Sequence, residues 1–188
     1  MSINMTKGQV VRLRKDNSVL SKIVVVFGRN YNSCEIVFDL SAFLMTDQEK
    51  VSCQDDFVFY GNLSNSSRSV VHAGDVWDLF GTDDELIYID LSIVPLHIKK
   101  IVFSVTIYDA EIRHQNFGQE SNLHIRIYEQ KSEEEILRYN LVDDLSYATA
   151  VILGELYRYG EEWEFCAVGS GYQGGLAAIC QSFGIDVE

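Results

Sequence analysis

Apolar and polar positions follow one another in short alternating runs rather than in long helical stripes. In Leu123-His124-Ile125-Arg126-Ile127-Tyr128 the two kinds of side chain fall on opposite faces of an extended chain, the period of a half-buried strand. The stretch 99–107 alternates less cleanly and reads as a strand covered on both sides. Further runs rich in Val, Ile, Phe and Tyr predict strands at 10–14, 22–27, 34–44, 57–60, 69–72, 85–91, 99–108, 124–128, 135–141, 149–159 and 162–167. Gly, Asn, Asp and Ser punctuate them. Many short strands with turn signals between them predict a mainly β fold, a two-sheet antiparallel β-sandwich with a few short helices. The helices are expected at 109–115 and 174–183, the second stopped by Gly184. No linker or internal repeat divides the chain, so residues 1–188 are read as a single domain.

Composition narrows the function classes. With 188 residues, 47% of them hydrophobic, the chain can bury roughly 70% of its unfolded surface and needs no metal or disulfide merely to fold. Its 28 Asp plus Glu against 15 Lys plus Arg leave a net charge of -13, which repels nucleic-acid phosphate and anionic lipid. A cation, or a partner with a basic face, suits it better. Cys34, Cys53, Cys166 and Cys180 show no CxxC spacing and no neighbouring histidines, which argues against thiolate zinc and dithiol chemistry. The first residues lack the apolar stretch of a secretory signal, and no apolar run approaches the length of about 20 residues that a membrane span needs. A cytoplasmic protein with reduced thiols and no transmembrane segment is expected.

The most unusual chemistry lies between Asp75 and Asp90, which holds six carboxylates and no Lys or Arg. Asp83, Asp84 and Glu85 in succession repel one another unless solvent or a cation relieves them. Calcium takes six to eight hard oxygens, and such a segment can supply several. The EF-hand pattern fails, because Trp77 sits two residues after Asp75. A calcium site here would therefore be assembled from several loops. A solvated acidic turn is the alternative.

Several of these segments together resemble the TerD family of tellurium-resistance and bacterial stress proteins. His72-Ala73-Gly74-Asp75 followed by Asp83-Asp84-Glu85 is similar to its HxGD…DDE loop. Phe38-Asp39-Leu40-Ser41-Ala42-Phe43-Leu44 resembles its D-L-D-x-S-A-F-L strand, and Asp56-Phe57-Val58-Phe59-Tyr60-Gly61-Asn62 its D-F-x-F-Y-N-N segment. Tyr108-Asp109-Ala110 with 115–119, and Gly154 through Leu176, extend the likeness over essentially the whole chain. The resemblance implies a calcium-binding, non-enzymatic stress-response protein associated with resistance to tellurite and other chemical stress, phage or colicins. It implies Asp39, Asp56, Asn62, Asp75, Asp83, Asp84 and Glu85 as Ca2+ ligands. Asp78 joins them as a residue of the same loop without a family counterpart. Other stress-response proteins, met at the inner membrane surface, are the implied partners; the oligomeric state stays open.

The departures from the family pattern weaken the expected affinity. Val37 stands where the family has the first Asp of D-x-D, Arg29-Asn30 where it has Trp-Asp, and Gly61 where it has Asn. The acidic loop carries Val76, Trp77, Leu79 and Phe80, which are either core anchors or an exposed recognition patch. These changes motivate an alternative, a metal-free divergent member that serves as a protein-interaction scaffold.

The remaining candidates read as structure. His72 opens the acidic loop and could orient a carboxylate, whereas His124 reads as a polar position on a strand face. Ser170, in Gly169-Ser170-Gly171, lacks the Gly-x-Ser-x-Gly elbow and reads as part of a tight turn. Ser41 lies near Asp39 without a base in sequence reach. No catalytic residue and no organic cofactor are expected.

Overall fold

A computed structural model describes residues 2–29, 36–74 and 85–186. Its strands are β1 (Ile3–Met5), β2 (Val10–Arg12), β3 (Arg14–Lys15), β4 (Ser18–Val19), β5 (Lys22–Gly28), β6 (Phe38–Met45) and β7 (Phe57–Val58). There follow β8 (Val70–His72), β9 (Glu85–Asp90), β10 (Lys100–Ile107), β11 (His124–Glu129), β12 (Glu134–Asn140), β13 (Ala150–Tyr159) and β14 (Glu162–Tyr172). Two short helices, α1 (Ala110–Arg113) and α2 (Gly175–Ser182), complete the chain.

A front sheet of six strands runs β1-β12-β11-β5-β9-β8, and a back sheet of six runs β2-β14-β13-β10-β6-β7. The expected two-sheet sandwich is the architecture observed. One pairing departs from it: β1 lies parallel to β12, with Ile3 opposite Leu137. The sheets close on each other because alternate residues of each strand are apolar and face inward. Val25, Ile87, Ile125 and Leu137 come from the front; Leu40, Phe103, Leu153 and Phe165 come from the back.

The outer face of the back sheet is also covered. Phe43, Met45, Val102 and Ile152 point away from the main core and meet Ile179 and Cys180 of α2. A helix of this length is marginal alone in water, so α2 owes its existence to this packing. Each buried Ile, Leu or Phe contributes about 1.5–3 kcal/mol.

Two local readings need correction. Gly169-Ser170-Gly171 is not a tight turn but the end of β14, where the register against β13 shifts between Ile152 and Gly154. Gly169 sits at φ +64°, and a Cβ there would run into the Tyr139 hydroxyl. His124 is buried, 5% exposed, instead of lying on a polar face; its Nδ1 lies 2.9 Å from the Asn122 carbonyl.

Candidate functional site

The acidic segment is attached to the front sheet at one edge. β8 and β9 are antiparallel with His72 opposite Ile87, and Ala73 N–H donates to Leu86 O at 3.0 Å. Continuing that register sets Gly74 beside Glu85, where the ladder ends. Residues 75–84 are the connection between those two points, and Asp75, Asp78, Asp83 and Asp84 lie outside the described residues, as do Val76, Trp77, Leu79 and Phe80.

His72 fastens this edge to the back sheet. It alternates with the core residue Val70 along β8, so its ring enters the space between the sheets and is 4% exposed. Gly74 N–H donates to His72 Nδ1 at 2.9 Å, which makes Nδ1 the acceptor and leaves the proton of the neutral ring on Nε2. Nε2 lies 3.1 Å from Leu40 O and 3.2 Å from Glu85 Oε2. The same Glu85 oxygen lies 3.5 Å from Leu40 N. One imidazole thus ties β6, β8 and the first residue of β9 together. The expectation that His72 orients a carboxylate is met in this geometry, and the carboxylate is Glu85.

The other sequence-predicted ligands are not all drawn to that point. Asp39 is the second residue of β6, just before Leu40, but strand alternation sends it the other way. Leu40, Ala42 and Leu44 belong to the inter-sheet core, so Asp39 shares the outer face with Ser41 and Phe43. There it sits opposite Thr106 of β10 and lines a groove of about 420 Å³ with Tyr60, Tyr108 and Asp109. Glu85 shares its face of β9 with Ile87 and Ile89, both in the core, so the two carboxylates lie on opposite sides of β6.

Asp56 and Asn62 serve the segment that carries them. Asp56 is 6% exposed, and its Oδ2 accepts from Ser52 Oγ at 2.6 Å and lies 3.5 Å from Cys53 Sγ. The neighbouring Phe57 pairs with Phe43, four residues along β6 from Asp39, a separation of about 13 Å at ~3.3 Å per residue. The structure therefore does not bring Asp56 to Asp39. Asn62 Nδ2 donates to Phe57 O at 2.8 Å, closing the turn that Phe59 and Asn62 form through their backbones. Among the described residues, no group of three or more His, Cys, Asp or Glu side chains could hold a metal ion.

Two of the departures from the family pattern have visible structural consequences. Arg29 donates to Glu120 Oε1 at 2.8 Å and stacks on Phe38, so its charge is taken up by a buried carboxylate. Gly61 leaves room for the Phe59 ring: a Cβ there would meet Phe59 Cε2 at 2.7 Å. Val37 is 46% exposed. The serine near Asp39, Ser41, is fully buried, and its hydroxyl has no hydrogen-bond partner among the described residues.

Sequence comparison decides the family, because the TerD domain matches residues 1–183. The chain belongs to the TerD family. General stress protein 16U of Bacillus subtilis (strain 168) is 47% identical over 194 residues, covering 100% of both chains. Tellurium resistance protein TerD of Serratia marcescens is 43% identical over 192 residues, again covering 100% of both. Among solved structures, a homologue of telluride resistance protein (TerD) from Streptomyces coelicolor A3(2) superposes with a TM-score of 0.66. It covers 89% of this chain and 99% of its own at 16% identity, a likeness that establishes the shared fold alone. This TerD chain thus sits in a family of tellurium-resistance and general stress proteins. Among its described residues, no helix is long and apolar enough to cross a membrane.

Proposed function

We propose that this chain is a non-enzymatic, calcium-binding protein of the stress response, acting in resistance to tellurite and related chemical stress. The observation that carries the reading is the fixed Glu85 carboxylate, held by His72 at the point where the acidic segment rejoins the sheet. Four Asp and no Lys or Arg fall within the connection that ends there. Their donors are hard oxygens, the set that calcium takes.

Asp75, Asp78, Asp83 and Asp84 would hold the ion with Glu85, whereas Asp39 faces the outer side of β6. Asp56 and Asn62 are left out of this ligand set, because their side chains support the 52–62 segment. Bound calcium supplies positive charge that makes crowded carboxylates tolerable. His72 keeps Glu85 from rotating into solvent, so part of the ordering cost is met before the ion arrives. The loaded end of the sandwich is then the surface offered to other stress-response proteins. Phage and colicin resistance belong to the same reading, through the family rather than through any feature of this chain. Cytoplasmic residence follows the same argument.

Thermal unfolding with and without calcium tests the proposal. Millimolar calcium should raise the Tm, and Asp83→Ala with Asp84→Ala should abolish the rise without lowering the metal-free Tm. An unchanged melting curve at millimolar calcium would overturn it, and would favour a metal-free scaffold presenting the Trp77 to Phe80 stretch.

A further inference from the structure

The segment that Asp56 and Asn62 support forms one wall of a second cavity, on the outer face of the back sheet. Its turn of 3-10 helix, Gln54–Asp56, is tied by Asp56 to Ser52, and the reversal at Tyr60-Gly61 is closed by two backbone bonds of 3.0 Å between Phe59 and Asn62. Three phenylalanine rings stack along this wall. Phe43 lies 4.5 Å from Phe57 at 13°, and Phe57 lies 4.3 Å from Phe59 at 8°; Tyr60 meets the last ring nearly at right angles. The opposite wall is α2, through Leu176 and Ala177, with Cys180 between.

The space measures about 670 Å³, within the range of small-molecule sites and far beyond an interior packing defect. Its lining joins Phe57, Phe59, Leu176 and Ile185 to the carboxylates of Asp55 and Asp186, and among the described residues it includes no Lys, Arg or His. Carboxylates in the lining favour a positive group; Phe43 and Phe59 stack on the two faces of Phe57, so the rings turn their edges to the space, and ring edges favour the face of an aromatic body. Gly61 belongs to this construction, since any larger residue there would push the Phe59 ring off the turn.

We propose that this cavity binds an organic cation with a flat, apolar body. The site lies on the outer face of the back sheet, whereas Glu85 faces the space between the sheets, and the proposal does not rest on calcium binding. The positive group lies toward Asp55 and Asp186, and the apolar body lies between the phenylalanine ladder and α2.

The test is a fluorescence titration of the full chain, in chelator, with berberine as a flat aromatic cation and 1-anilinonaphthalene-8-sulfonate as a comparable anion. Berberine should bind saturably and more tightly than the anion. Ala177→Arg, at an exposed position of α2, fills the space with a guanidinium and should weaken berberine at least about tenfold. Asp186→Asn removes one rim charge and should weaken it about threefold to tenfold, with the difference shrinking as salt is added. Leu96→Arg, at an exposed position outside the cavity lining, should change nothing, which separates the cavity from general attraction to an acidic protein. Absence of saturable berberine binding would overturn the proposal. So would equal affinity in wild type and both cavity variants, with melting curves showing all of them folded, or tighter binding of the anion.

Discussion

Replacing His72 with alanine probes the bond that joins the two sheets at the acidic edge. The ring is 4% exposed and serves three groups: Gly74 N–H, Leu40 O and Glu85 Oε2. Alanine leaves the Leu40 carbonyl and the Gly74 amide without that partner, and each such loss costs about 1–3 kcal/mol. Gly74 is partly exposed and water recovers some of its share, so the expected total is about 3 kcal/mol, including lost packing. For a chain of 188 residues this corresponds to a fall in Tm of about 6–12 °C. His72→Gln, whose amide both donates and accepts but cannot span all three groups, should recover about half of it. Urea unfolding followed by circular dichroism measures the difference directly. If calcium is bound as proposed, the same alanine variant loses about tenfold in affinity, because Glu85 is no longer oriented. A destabilisation below about 1 kcal/mol would refute the view that His72 is a structural clamp.

Two further outcomes follow from buried groups. The Tyr139 ring is 1% exposed and its buried hydroxyl has no hydrogen-bond partner among the described residues, so Tyr139→Phe removes a desolvation penalty. Urea unfolding should find the variant as stable as wild type or more stable by up to about 1 kcal/mol; a loss of that size would mean the hydroxyl is satisfied. Burial pushes the Cys180 thiol from its ordinary 9.0 up to about 11, whereas Cys53 is exposed. Iodoacetamide at mildly alkaline pH should therefore label Cys53 and spare Cys180, as peptide mass mapping would show. The raised value makes the contribution of Cys180 neutral below about pH 9 and destabilising as pH rises from there to about 11, where the unfolded thiol ionises first. Equal labelling of the two cysteines would contradict the packing of α2.

Alternation made part of the sandwich legible in the sequence, because a strand between solvent and core repeats every second residue, as β11 and β14 do, whereas β5 and β10 are covered on both faces and are legible as continuous apolar runs instead. The misses have physical causes. β1 is three residues long and pairs parallel to a distant strand, so no local period announces it. β14 runs on to Tyr172 because Gly169 takes up a bulge, and two glycines around a serine look the same in sequence whether they make a turn or a bulge. At the candidate site, His72 was readable from its place before the acidic run. The part played by Asp56 and Asn62 was not, since their partners are a serine hydroxyl and a backbone carbonyl that only the fold brings near. The outward turn of Asp39 was hidden for a similar reason: the sequence shows that it alternates with Leu40, but not which of its faces looks toward Glu85.

Calorimetric titration of the full chain with calcium, beside the Asp83→Ala, Asp84→Ala double variant, examines the metal reading at its source. A saturable heat in wild type that disappears in the double variant, yet persists in Asp186→Asn at the second cavity, is the outcome expected of an ion held by the segment that ends at Glu85. No heat up to millimolar calcium, or an isotherm identical in the double variant, would show that these carboxylates are only a solvated turn.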